Sequence, residues 1–363
     1  MVKRRNISGH RLSAELVCAF LCMSTALPAF GAQYALPESD QGVIGEILEI
    51  DAAETDTFVD LARQYGVGYT ELRRANPDVD PWLPGAGTRI VIPAQFVLPD
   101  APRRGVVLNL AEYRMYFYPQ DDRETVYTFP ISIGRMDWET PLGRTRVVAK
   151  AERPSWYPPK SIREEHAAEG DPLPAVVPPG PDNPLGEYAI RLGLPGYLIH
   201  GTNRPAGVGM RVTHGCIRMF PEDIESLFAM LPVNTPVRIV NQPVKMGWHV
   251  DQLIMEAHEP LATAMADTVD VPTAESEALE SVEIAEIEEG DLTSMMRVYV
   301  AATRELDATV DWALIEEVLE QARGVPVLVG KVNAQVDVDQ PEVEVAGNAV
   351  DGVRRSPSDR ISH

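Results

Sequence analysis

Two neighbouring stretches decide how this chain is read: Tyr197-Leu198-Ile199-His200-Gly201-Thr202-Asn203 and Thr213-His214-Gly215-Cys216-Ile217-Arg218-Met219. The apolar run in front of His200 reads as a strand, so the histidine stands at a strand end. Acyl transfer by cysteine requires a thiolate, a base that takes the thiol proton, and hydrogen-bond donors for the tetrahedral oxyanion. His200 and His214 bring two imidazoles close in sequence to Cys216. A free thiol is mostly protonated at neutral pH, and an adjacent imidazole lowers its pKa. Gly215, directly before the cysteine, lets backbone amides approach a substrate. The same side-chain types also bind zinc, but no fourth ligand is evident nearby. A buried, inert cysteine is the commonest fate of a single Cys, and it leaves two histidines and a glycine at this spacing unaccounted for. His10, His166, His249, His258 and His363 read as structural or solvated.

Working outward, residues 104–241 are rich in strand patterns. Val106 to Leu110, Arg114 to Tyr118, Val126 to Ile133 and Arg144 to Ala149 alternate or run apolar between turns of Gly, Pro and Asp. The proline-dense stretch from Pro154 to Pro195 is too long for a hairpin connection and reads as a surface loop around a cleft. Pro221 to Leu231 reads as a short amphipathic helix, and Val237 to Val240 as the last strand. In front, residues 46–94 read strand, helix, helix, strand. Glu46 to Ile50 alternates, Thr55 to Tyr65 carries an apolar face, Thr70 starts a second helix, and Thr88 to Pro93 closes the unit. Behind, residues 242–291 read as an acidic linker and 292–330 as a small α+β unit. That unit has an apolar segment at Met295 to Ala302, a helix from Asp311 to Arg323 stopped by Gly324, and a closing strand. Residues 331–363 read as a disordered tail. The expected fold is therefore multidomain and mainly β.

The chain has 363 residues, 45% of them hydrophobic, and a formal charge of −22. That balance argues against nucleic acid, whose phosphates are held by clustered Lys and Arg. Lys3, Arg4 and Arg5, then the apolar run from Leu16 to Leu27, then Ala29-Phe30-Gly31-Ala32, have the layout of a secretory signal peptide over residues 1–32. The run is short for a membrane span of about 20 residues, and no later run is apolar enough to span. Cys18 and Cys22 leave with the signal, so Cys216 stands alone, and an oxidising compartment tolerates a free thiol best when it is buried or used.

The 46–94 unit, with its Asn76-Pro77 turn and its Leu83-Pro84-Gly85 to Pro93 ending, resembles a LysM domain, which implies binding to N-acetylglucosamine-containing glycans such as peptidoglycan. The two motifs around His200 and Cys216 are similar to the signature of the YkuD-type L,D-transpeptidases. Thr140-Pro141-Leu142-Gly143, Trp156-Tyr157-Pro158-Pro159 and Asn183-Pro184-Leu185-Gly186 look like further landmarks. The front unit and the tail together resemble the ErfK/YbiS group, enzymes that attach the outer-membrane (Braun) lipoprotein to peptidoglycan. The resemblance implies a βααβ LysM domain, a β-rich YkuD-type catalytic domain with short helices and a small C-terminal subdomain, exported to a Gram-negative periplasm.

Carried onto this sequence, the resemblance makes Cys216 the nucleophile and His200 the general base, oriented by the Gly201 carbonyl, with His214 beside the thiolate. The amides of Gly215 and Cys216 face the oxyanion, aided by Tyr197. Arg218 braces the site or meets a substrate carboxylate, and Thr213 replaces the commoner serine. The implied chemistry needs no metal or organic cofactor. Cys216 attacks the third residue of a peptidoglycan stem, expels D-alanine, and passes the acyl group to diaminopimelate or to a lipoprotein's C-terminal lysine. Two alternatives use the same sequence: a hydrolase that passes the thioester to water, and a peptidoglycan-binding protein without activity.

Overall fold

The computed structural model describes residues 31–135, 138–261, 291–306 and 308–333. The segment read as a signal lies outside these up to residue 30, as do 262–290 of the acidic stretch and the tail from 334.

Seven elements precede the central region: β1 (Ala32–Ala35), β2 (Val43–Gly45), β3 (Leu48–Asp51), α1 (Phe58–Tyr65), α2 (Tyr69–Ala75), β4 (Arg89–Ile92) and β5 (Gln95–Val97). The antiparallel pair β3 and β4 packs against both helices around Phe58, Leu61, Leu72, Ile90 and Ile92. This is the strand–helix–helix–strand order read from the sequence, with shifted boundaries. Thr57 rather than Thr55 starts α1, because its hydroxyl accepts from the Asp60 amide, and Gly66 in the left-handed region stops it. The second helix begins one residue before Thr70, where Glu71 reaches back to the amide of Gly68.

The central region runs β6 (Gly105–Asn109), β7 (Arg114–Tyr118), β8 (Thr125–Pro130), β9 (Ile133–Gly134), β10 (Gly143–Glu152), α3 (Lys160–Ala168), β11 (Tyr188–Leu192), β12 (Leu198–His200), β13 (Arg211–Thr213), β14 (Ile217–Arg218), α4 (Pro221–Met230) and β15 (Pro236–Val240). Nine strands form one curled sheet in the order β1-β8-β7-β6-β15-β10-β11-β12-β14. The long β10 makes the turn: its first half pairs with β15 and its second with β11, with a register shift between Val147 and Ala149. The curl closes over Val106, Met115, Phe129, Ile190, Ile217 and Leu227, all buried.

The 242–291 stretch is not linker throughout. Val244, Met246 and Trp248 alternate on β16 (Val244–His249), and Leu253 and Met255 on β17 (Gln252–Ala257). This hairpin joins α5 (Asp291–Ala302), β18 (Ala308–Val310), α6 (Trp312–Gln321) and β19 (Val327–Val332) in a four-stranded sheet ordered β16-β17-β19-β18. The acidic composition farther on hides this period-two signal. The final helix ends at Gln321 because Ala322 takes left-handed angles, and Arg323 bridges to His258. The closing strand runs on to Val332, past the expected start of the tail at 331.

The three units are tied together by charge pairs, two of them buried and one at the surface. Arg114, fully buried on β7, forms a two-pronged pair with Glu71 of α2 (2.8 and 2.6 Å) and lies 4.0 Å from the centre of the Phe96 ring. Arg63 of α1 grips Glu222 of α4 the same way (2.7 and 2.8 Å). The amides of Tyr69 and Thr70 donate to the carbonyls of Val208 and Gly209 (3.4 and 3.2 Å). Gly209 has φ +83°, and a Cβ there would lie 2.4 Å from the Gly68 backbone, so only glycine allows this approach. On the far side, Lys245 Nζ sits between Glu112 (2.5 Å) and Glu256 (3.0 Å), and His258 Nε2 meets Glu256 at 2.6 Å. Among the described residues Glu112, Glu256 and His258 are close enough to share a metal ion, but the lysine ammonium already stands among them.

Candidate active site

Strands β12 and β14 lie side by side in parallel, with Ile199 opposite Ile217 and His200 opposite Arg218. Cys216, one residue before β14, is therefore level with Leu198. Side chains alternate along a strand, so Leu198, His200, Cys216 and Arg218 share one face while Ile199 and Ile217 point into the core. All four line a cavity of about 1010 Å³, and both isoleucines are buried. A one-residue slip in this register would bury the catalytic candidates and expose the core.

The imidazole of His200 is 5% exposed, and its Nδ1 lies 2.7 Å from the Gly201 carbonyl. A carbonyl only accepts, so Nδ1 carries the proton and Nε2 holds the lone pair that a base needs. Burial, and then the charge of Arg218, push His200 from 6.5 down to about 4. The unfolded chain takes up a proton below about 6.5 and the folded chain does not until about 4. Stability tied to this group is complete above 6.5, falls as pH drops through that window, and levels below 4. The gap (6.5 − 4, about 2.5 pKa units) corresponds to about 3 kcal/mol. Denaturant unfolding at pH 7 and pH 4 should show that loss in the parent protein and not in His200→Gln.

Cys216 is half-buried, with Sγ 3.6 Å from the Gly196 carbonyl. Burial pushes the thiol up, against the Leu198 backbone and Arg218, which pull it down. Burial outweighs both, so the thiol stands above its ordinary value, where the sequence leads us to expect an imidazole to lower it. Gly215, at φ +93°, makes the turn that presents it, and a Cβ there would meet the Tyr197 ring at 2.9 Å. Thr140 donates to the Gly215 carbonyl (2.8 Å) and Thr213 to the Cys216 carbonyl (2.6 Å). With the Gly215–Cys216 carbonyl held by Thr140, the Cys216 N–H of that trans peptide points the opposite way. Thr140 is thus the working residue of the Thr140-Pro141-Leu142-Gly143 landmark.

Two further candidates have partners that the sequence does not announce. Tyr197 packs against the Gly215 turn and donates its hydroxyl to the Glu139 carbonyl (3.2 Å). The Nε2 of His214 is held at 2.9 Å by Glu165 of α3, a partner not foreseen from the sequence. The proline-dense stretch contains this helix, and Ile162, Leu173 and Val177 from it help wall the cavity. Arg218 lies on the same wall as Cys216 with a buried Nε that bonds no described group.

The Cys216 thiol and the carbonyl-oriented imidazole of His200 share one cavity beside a threonine-anchored turn, and these are groups that acyl transfer by cysteine calls for. Residues 103–239 match the YkuD family model, the L,D-transpeptidase catalytic domain. Over 257 residues the chain is 41% identical to the probable L,D-transpeptidase ErfK/SrfK of Escherichia coli K12, covering 70% of this chain and 82% of the relative. Over 254 residues it is 42% identical to the probable L,D-transpeptidase YcfS of the same strain, covering 68% and 78%. A solved catalytic domain from the E. faecium L,D-transpeptidase is 23% identical, covers 39% of this chain and 99% of that one, and has a TM-score of 0.30. The chain belongs to the L,D-transpeptidase family and is an enzyme of that class. No described helix is long and apolar enough to cross a membrane.

Proposed function

We propose that this L,D-transpeptidase works in the periplasm on peptidoglycan tetrapeptide stems, forming a thioester on Cys216 and passing the acyl group to an amine. The observation that carries this reading is the arrangement on one strand face of Cys216, His200 and Arg218, whose buried guanidinium Nε bonds no described group. A guanidinium lining the cavity is suited to a substrate carboxylate, which it can bind in a two-pronged geometry. As a carboxylate pairs with Arg218, it offsets the positive charge that depresses His200, so the base strengthens when the donor arrives. His200 Nε2 then takes the thiol proton, Sγ attacks, the amide of Cys216 faces the developing oxyanion, and D-alanine leaves with the proton returned by His200. Transfer rather than hydrolysis is supported by size: about 1010 Å³ is at the upper end of ordinary ligand pockets and leaves room for a second peptide beside the thioester.

In this reading the acceptor is an amine, the C-terminal lysine of an outer-membrane lipoprotein or the side chain of diaminopimelate. The 46–94 unit holds glycan as LysM domains do, and residues 1–32 direct export. The test is mass spectrometry of products from the mature protein given disaccharide-tetrapeptide, with and without a peptide ending in lysine. Peptide-linked or stem-linked product with loss of D-alanine is expected. Tripeptide alone would assign hydrolysis, and unchanged substrate would leave only a binding role.

A further inference from the structure

Three imidazoles line the cavity, those of His166, His200 and His214, and the last two are supported in different ways. His200 is buried and leans on a neutral carbonyl. His214 keeps 23% of its side chain exposed, meets Glu165 Oε2 at 2.9 Å, and packs against the Trp138 ring with centroids 5.2 Å apart. The other Glu165 oxygen lies 2.6 Å from Arg135 Nη2, and the Arg135 amide donates to the Thr213 carbonyl, next to His214. Arg135, and then His214, hold the Glu165 carboxyl below its ordinary value, so it is ionised and can only accept. The proton of a neutral His214 ring is therefore on Nε2, and Nδ1 carries the lone pair. An ionised carboxylate behind an imidazole orients the ring and stabilises the imidazolium formed when it takes a proton.

The cavity is also divided in charge. Strands β10 and β11 contribute Lys150 and Arg191 and the segment carrying Cys216 contributes Arg204 and Arg218, whereas the stretch around α3 contributes Asp171 and Asp182. A donor with a carboxylate and an acceptor with an ammonium are drawn to different sides.

Resting on the transpeptidase reading above, we propose that Glu165 is a positioning residue for the second half-reaction, acting through His214 on the incoming amine, while His200 serves the first. A lysine-type acceptor is an ammonium near neutral pH. One of its protons passes to His214 Nδ1, and the freed nitrogen pair attacks the thioester carbonyl to form the C–N bond. The intermediate collapses with the C–S pair leaving on Cys216 Sγ. The second nitrogen proton, lost as the amide forms, returns to that sulfur through His200 Nε2. The proton on His214 goes to solvent, and the enzyme is back in its thiol form.

The test separates the half-reactions in Glu165→Gln, which keeps size and hydrogen bonding but loses the charge. Acylation is followed without amine by the mass of the Cys216 thioester, and aminolysis by adding a peptide ending in lysine. Acylation should slow about threefold or less, aminolysis should slow about thirtyfold or more, and thioester should accumulate. Glu165→Asp should recover part of the aminolysis rate. Equal slowing of both halves, with faster hydrogen exchange across residues 160–168, would make Glu165 a structural tie only and overturn the inference. Unchanged aminolysis would overturn it too. A parent enzyme that never forms the thioester would instead remove the proposed function, and this inference with it.

Discussion

Cys216→Ala is expected to lower acyl transfer by about 10⁴-fold or more, to the background of uncatalysed aminolysis, because Cys216 is the one thiol among the described residues. The loss should be chemical rather than structural. Sγ makes a long contact to the Gly196 carbonyl and a backbone contact at Leu198, so unfolding free energy should change by only about 1 kcal/mol. Cys216→Ser should not restore the rate. An imidazole pushed down to about 4 is a weak base, adequate for a thiol but far from able to ionise a hydroxyl. Single-turnover mass spectrometry with an acyl donor checks both variants. A covalent adduct on the alanine protein would show that another side chain is the nucleophile.

Arg114→Leu is the substitution expected to damage the fold most. It leaves the Glu71 carboxylate, 8% exposed, without its cation, and losing one partner of a buried pair costs about 3–5 kcal/mol. Glu71 also caps α2 through the Gly68 amide, so the harm should fall first on residues 46–94 and appear as an early transition in denaturant. Arg114→Leu with Glu71→Gln should recover most of the loss, since the glutamine keeps the capping bond without a stranded charge. If the single and double variants unfold together, the pair contributes no net coupling.

The strand pattern around the site was readable from residues 106 to 149 and 197 to 240 because apolar runs there are bounded by Gly, Pro and Asp turns. The motifs around His200 and Cys216 were readable because few side chains perform acyl transfer. What escaped belongs to tertiary structure. Glu165 sits in a proline-dense stretch, and its partnership with His214 spans 49 positions of sequence, so no local pattern announces it. The hairpin of β16 and β17 was concealed by the acidic composition beyond it. The level of the thiol depends on how deeply the folded chain buries it.

The joint between α2 and the loop at 208–209 has a mechanical meaning. A module on a loose tether raises local concentration throughout a sphere whose radius the tether sets. Here the two parts meet backbone to backbone at Tyr69, Thr70 and Gly209, with no slack between them. For a glycan held by the front unit as proposed, the thiol of Cys216 lies at one offset from the gripped sugars, and only stems at that offset come within reach. The interval between modified stems along a strand would then be set by the protein as much as by the wall, as a gauge block sets the spacing of a cut.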